Sequence, residues 1–328
     1  DPWRGHYNYQ DSRTWFKSEE DFPGPQTMRA AVNWLETNGG HHERSLLVID
    51  EFDPHEPFDT PEPWASLYDR DWTGERIIWP PYSTDTLKNG VITERQAHHI
   101  RQNYGAKLSM IDHWLGKVLD ALDNGGFWDD TMVILCTDHG HYLGEKDIFG
   151  KPRVMQYEPI GHTPLLIYHP DAAPNVISSL STNVDLHATL TDLFDLNVDH
   201  VTHGRSLLPD ILGLKTPARD WAVGGIFGNW VQIQDGRYKY ARGPTTDNYP
   251  LSMWSNRWST MPVPYYPGLR LPNPDARAYI DFMPGSSVPV LRQPFEPGDM
   301  LPFWSMDASL DDHYLFDLQE DPHKEHNL

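Results

Sequence analysis

Three things are scarce in this chain, and each scarcity excludes something. Cys136 is the only cysteine in 328 residues, so no intrachain disulfide can form and a small disulfide-stapled fold is excluded. Positive charge is also short. Twenty-six lysines and arginines stand against 47 aspartates and glutamates, a formal net charge of −21 with no basic cluster along the chain. Phosphate neutralisation needs clustered cations, so a nucleic-acid partner is not expected. Long apolar runs are missing as well. Nothing approaches the roughly 18 residues that a helix needs to cross a bilayer, so no membrane span is expected. The opening DPWRGHYNYQ has neither an initiator methionine nor a leader pattern, and a segment upstream of Asp1 is therefore expected.

What is present describes a globular chain. Hydrophobic residues make up 38% of it, including 13 Trp, 15 Tyr and 12 Phe, enough large apolar area to offset the entropy of ordering. The length suits one large domain or two moderate ones, at roughly 100 to 200 residues each. The acidity reads as solubility, and attraction of divalent cations would need a specific site.

The elements follow from periodicity and punctuation. FPGP at Phe22 to Pro25 reads as loop. A helix follows, with Thr27 as cap, Met28, Val32 and Leu35 on one face, and Gly39-Gly40 at its end. SLLVIDEF, Ser45 to Phe52, is a continuous apolar run of strand length, as expected where both sheet faces are covered. Glu94 to Asn124 keeps helical spacing from Ile100 to Leu122, opened by a Thr93/Gln96 capping box and closed by Gly125-Gly126. TMVILC (131–136) and TPLLIYHP (163–170) read as two more buried strands, which makes Cys136 a core thiol. Asp185 to Leu196 reads as a helix. Strands alternating with helices predict an α/β fold with a mainly parallel sheet flanked by helices over residues 1–213.

The character changes near Gly213. WAVGGIF, WVQIQ and RYKYA are short alternating runs, the last two joined by Asp235-Gly236, which predicts a hairpin in a small antiparallel sheet. Residues 214–328 therefore form an expected C-terminal α+β subdomain. Within it, 243–310 carries many Pro, Trp and Tyr without periodicity and reads as a long packed loop. It could line a pocket, and ordinary packing explains it equally well.

Chemistry concentrates where predicted strands end. Asp138 and His139 follow TMVILC at once, and His55 follows SLLVIDEF after Asp53-Pro54. In an open α/β sheet, ligands bind beyond the carboxyl ends of the strands. A carboxylate beside an imidazole can hold a cation, and Lys151 can neutralise an oxyanion. Lys146 is a nearer rival for that role. His162, just before the third strand, either faces a substrate or caps the strand. The pairs His41-His42 and His98-His99 read as surface residues, because neighbours on a helix point in different directions.

Several motifs together resemble the sulfatase family of the alkaline-phosphatase-like superfamily. They are D-P-H-E-P-F (53–58), T-D-H-G-H-Y-L-G-E (137–145), G-K-P (150–152), H-G-R-S-L-L-P (203–209) and Y-L-F-D-L-Q-E-D-P (314–322), in that order along the chain. The resemblance implies hydrolysis of a sulfate ester on a small molecule or carbohydrate. It places a metal, usually calcium, on Asp138 and His139, although an imidazole ligand leans toward manganese or zinc. Lys151 is implied as the contact to the sulfate and the leaving oxygen, and His55 as hydrogen-bond donor or general acid. It also leans toward a periplasmic or secreted setting.

One part of the pattern is absent. The family takes its nucleophile, a formylglycine, from Cys or Ser in a C-x-P/A-x-R context, and pairs it with an N-terminal Asp-Asp. Cys136 lies in MVILCTD instead. The nucleophile is therefore expected on an N-terminal segment or a second chain of the same enzyme, and this chain alone is expected to be inactive. A phosphonate or phosphate ester hydrolase of the same superfamily, or a non-catalytic metal-binding relative, stays open.

Overall fold

The structure is a computed structural model and describes residues 13–152, 154–214, 219–226, 228–245, 251–256, 278–296 and 312–328. It divides into two compact units, Asp1–Pro152 with Thr163–Pro170 and Arg153–His162 with Asp171–Leu328. Residues 171–213 thus cluster with the second unit, so the change of character near 213 and the division into units are different boundaries.

Two helices build the first unit. Helix α1 (Pro23–Asn38) begins inside FPGP, the stretch read as loop. Proline suits that place, since first-turn N–H groups have no intrahelical acceptor to lose. Helix α2 (Glu94–Gly125) opens on the Thr93/Gln96 capping box and stops at Gly126, left-handed at φ 66°. Met28, Ala31 and Leu35 of α1 pack with Met110, Trp114, Val118, Ala121 and Leu122 of α2. Glu19 ties loop to helix by accepting the indole N–H of Trp64 at 2.9 Å and of Trp114 at 2.6 Å.

Four short strands complete the unit: β1 (Val133–Cys136), β2 (Tyr142–Leu143), β3 (Phe149–Gly150) and β4 (Leu165–Tyr168). β1 pairs antiparallel with β4, Cys136 opposite Leu165, and β2 pairs antiparallel with β3. The expected mainly parallel sheet is thus not what the described residues form, since every strand pair among them is antiparallel. SLLVIDEF is not a strand here, and its Leu46 and Val48 are 56% and 72% exposed. Apolar composition favours extended backbone, but a strand exists only where a neighbour supplies ladder hydrogen bonds. Cys136 is likewise corrected from core thiol to an exposed free thiol, because a two-stranded sheet leaves its faces half open.

The second unit carries helix α3 (Val184–Leu193) and strands β5 (Ala222–Gly225), β6 (Val231–Gln234), β7 (Tyr238–Arg242), β8 (Leu251–Ser255), β9 (Tyr279–Phe282), β10 (Pro289–Phe295) and β11 (His313–Asp317). The predicted hairpin is β6–β7, and Asp235 Oδ1 closes its turn by accepting the N–H groups of Arg237 and Tyr238 at 2.9 and 2.7 Å. The sheet runs β11-β7-β6-β5. The stretch 243–310, read as loop, contains a second sheet, β8-β10-β9. Prolines at 289 and 294, which donate no ladder hydrogen bond, mask it in the sequence. Residues 246–250, 257–277 and 297–310 of that stretch lie outside the described residues.

H-G-R-S-L-L-P has a structural task in this unit. Fully buried Asp185 at the start of α3 accepts the N–H of Thr182 and of Arg205, each at 2.8 Å, and pairs with the Arg219 guanidinium. The chain passes so close at Gly204 that a Cβ would lie 2.2 Å from the Val184 carbonyl oxygen. Only glycine permits that approach.

Candidate active site

The D-P-H-E-P-F loop is anchored from below. Lys107 on α2 reaches out of the helix to bond Asp53 Oδ1 at 2.7 Å and the Pro57 carbonyl at 2.9 Å, with both charged side chains almost wholly buried. Phe58 is fully buried beside Tyr104 and His141, each ring centroid 5.3 Å away. This loop carries His55 and Glu56. Lys151 arrives from β3, where Gly150 takes φ 76° and a Cβ would meet Tyr82 at 2.6 Å. Tyr82 can therefore lie against the site. An antiparallel bridge holds it there, Ser83 and Phe149 exchanging bonds of 3.2 and 3.1 Å.

These elements bring together residues 96 positions apart. His55 Nδ1 lies 2.6 Å from the Glu56 carbonyl oxygen. A carbonyl only accepts, so Nδ1 carries the proton and Nε2 offers its lone pair. Lys151 Nζ donates to that Nε2 at 2.7 Å. Burial pushes the His55 imidazole below its ordinary value, helped by the charge of Lys151 and opposed by Glu56. His55 is thus neutral, and the proton between the pair sits on Lys151. Burial also lowers the Lys151 ammonium, against the pull of Glu56 and Asp138. A lysine so placed is a better proton donor than one in water.

Glu56 is the hub. Its side chain is 4% exposed, with the Tyr82 hydroxyl donating to Oε1, Lys151 Nζ 3.4 Å from Oε2, and His141 Nε2 also 3.4 Å from Oε2. His141 Nδ1–H donates to the Tyr142 carbonyl at 2.8 Å, which turns Nε2 toward the carboxylate. That Nε2 is buried without a hydrogen-bond partner and lies against the carboxylate by packing. Burial works against the charge of Glu56, but His141, Lys151, His55 and Tyr82 outweigh it and hold the carboxyl at about 2. Glu56, His141 and Tyr82 are not among the residues that the sequence motifs single out. The signal was an acid beside the candidate histidine, in a loop whose prolines fix its path.

Asp138 and His139 lie at the end of β1, with side chains 83% and 43% exposed. His139 donates Nδ1–H to the Gly140 carbonyl at 2.8 Å and its backbone N–H to Asp138 Oδ1 at 2.8 Å. His139 Nε2 and Asp138 Oδ2 then converge at 3.5 Å. Two lone-pair atoms so placed suit a cation, and this donor set fits half a coordination shell. Among the described residues no group of three or more His, Cys, Asp or Glu gathers around an ion position. His162 lies in the second unit, 80% exposed and 3.4 Å from Glu158. Lys146 stands in left-handed backbone at φ 54°. His99 departs from the surface reading. It is 2% exposed, bonded to Asp69 at 2.8 Å and stacked on Trp72 at 4.0 Å.

Comparison with known proteins identifies the family. The sulfatase family model matches residues 2–196. A choline-sulfatase of Rhizobium meliloti is 31% identical over 204 residues, which cover 60% of this chain and 35% of that protein. An N-acetylglucosamine-6-O-sulfatase of Bacteroides thetaiotaomicron is 29% identical over 203 residues, covering 61% and 35%. The chain thus spans about a third of the length of each of these curated relatives. The structure of the phosphonate monoester hydrolase of Agrobacterium radiobacter superposes with a TM-score of 0.61 at 19% identity, over 95% of this chain and 57% of that one, a likeness of fold. No described helix is long and apolar enough to cross a membrane. With a family match covering more than half of its residues, the chain belongs to the sulfatase family.

Proposed function

We propose that this chain supplies the oxyanion-binding and metal-binding side of a sulfuric ester hydrolase. The observation that carries this reading is the Lys151–His55 pair, 2.7 Å apart and part-buried. Lys151 binds and neutralises a sulfuryl oxygen, and its lowered ammonium releases a proton toward the leaving oxygen. His55, neutral and with Nε2 as acceptor, holds a second proton of the same ammonium and so fixes where Lys151 points. Asp138 and His139 would hold a divalent ion, which when bound supplies Lewis-acid polarisation of the same oxygens. The formylglycine nucleophile implied by the motifs has no counterpart around Cys136. The names of the curated relatives favour a sulfated small molecule or carbohydrate as substrate.

Titration of the ¹⁵N-labelled chain with inorganic sulfate tests the reading. Saturable shifts of the His55 ring resonances are expected in the native chain. Lys151→Ala is expected to weaken sulfate about 10- to 100-fold, the worth of a hydrogen bond to a charged group. No saturable shift at His55, or tighter binding of methylphosphonate than of sulfate, overturns the sulfatase reading.

Calcium tests the other side of the site. Calorimetry is expected to give weak binding in the native chain and a loss on the order of tenfold or more in Asp138→Ala and in His139→Ala, since each removes one of two donors. Tight binding that neither substitution disturbs overturns the assignment. Stronger retention of zinc or manganese than of calcium would give the imidazole the larger share.

A further inference from the structure

We infer that Glu56 is a positioning residue that orients both members of the Lys151–His55 pair at once. The inference rests on the reading of that pair as the oxyanion-facing groups. The Glu56 backbone carbonyl accepts His55 Nδ1–H at 2.6 Å, which sets the tautomer and turns the Nε2 lone pair toward Lys151. The Glu56 side chain meets the other member, with Oε2 3.4 Å from Lys151 Nζ. Backbone and side chain of one residue thus determine where the shared proton lies.

The anchor is itself held. Tyr82 donates its hydroxyl to Oε1 and also lays its ring 5.9 Å from Lys151 Nζ. His141, 7% exposed, closes the far side against Oε2. The α2 lysine Lys107 fixes the next carbonyl along, that of Pro57. A lysine side chain has four rotatable bonds and a compact charge that accepts many directions. Without an ionic anchor, holding its ammonium on one nitrogen would oppose the full rotamer entropy of that side chain. Glu56 removes this freedom before any substrate arrives, the pre-organisation that an oxyanion site requires.

Glu56→Gln tests the inference, because it keeps shape and backbone and removes the charge. The probe is the ¹⁵N resonance of His55 Nε2, with Lys151→Ala as the reference for a ring that accepts no lysine hydrogen bond. In Glu56→Gln the proton is expected to stay on His55 Nδ1, because the backbone acceptor is unchanged. The Nε2 resonance is expected to move most of the way to the Lys151→Ala position, and sulfate affinity to fall about tenfold. Tyr82→Phe, which keeps the ring and loses the hydroxyl, is expected to move both readouts in the same direction by a smaller step, roughly threefold in affinity. A merely structural acid would change the thermal midpoint and leave Nε2 where it is. That result in either folded variant overturns the inference while the sulfatase reading stands. Conversely, if the native chain binds no sulfate at His55 yet Glu56→Gln still frees Nε2, the positioning role holds and the sulfatase reading fails.

Discussion

Lys107→Met is expected to lower the stability of the first unit by about 3–5 kcal/mol at neutral pH, the cost of removing one partner from a buried ion pair. Lys107 leaves α2 beneath the D-P-H-E-P-F loop and meets Asp53 at 2.7 Å, with side chains 4% and 2% exposed. Methionine fills a similar volume, so little of the loss would come from packing. Most would come from a carboxylate left in a dry site. Asp53 has little else to compensate it, since its Oδ2 is buried without a hydrogen-bond partner and the nearby Glu51 Oε2 is in the same position. Burial already pushes Asp53 above its ordinary value even with Lys107 present.

The pH dependence of that deficit separates charge from shape. A carboxyl whose folded value is raised contributes stability below its unfolded value and loses it as pH rises through the folded value. Without Lys107 the folded value of Asp53 climbs further. Urea unfolding followed by tryptophan fluorescence is therefore expected to show a larger deficit at pH 7 than at pH 5, where a proton takes the place of the lysine. Asp53→Asn combined with Lys107→Met is expected to recover much of the loss, because no charge is left unpaired. An equal deficit at both pH values, or no recovery in the double variant, would show that the pair is not what holds the loop.

Local signals are legible in the sequence, and long-range ones are not. Helix α2 announced itself because its capping box, apolar stripe and left-handed Gly126 act within a few residues of one another. The β6–β7 hairpin did so through Asp235-Gly236. SLLVIDEF shows the limit. Its composition suits a buried strand, but nothing in a run of apolar residues names a partner or a direction, and the structure gives it no ladder. The same gap made the β1–β4 pair look parallel and Cys136 look buried. The site divides in the same way. His55, Lys151, Asp138 and His139 stood out through motifs, whereas Glu56 drew no notice because its importance lies in what surrounds it. Tyr82 and His141 come to it from 26 and 85 positions away.

Acid unfolding is expected to depend on Glu56 by about 3 kcal/mol. Its carboxyl is held at about 2 against an ordinary 4.5, and that difference converts to a stabilisation of this order at neutral pH. A depressed carboxyl contributes fully above its unfolded value, so the contribution is present above about 4.5 and drains away as pH falls toward 2. His55, lowered by burial, acts in the same direction at higher pH, since stability is lost as pH falls below 6.5 and the imidazole is forced to charge. Glu51 and Asp53, both raised, work oppositely and gain stability as they protonate. The native profile is a sum of these, but the difference between native chain and Glu56→Gln isolates one carboxyl. That difference is expected to be widest near pH 6 to 7 and to close between about 4.5 and 2, measured by urea midpoints across the range. Parallel profiles over that window would mean that Tyr82, His141 and Lys151 do not stabilise the charge of Glu56, and the hub assigned to the site would have no energetic basis.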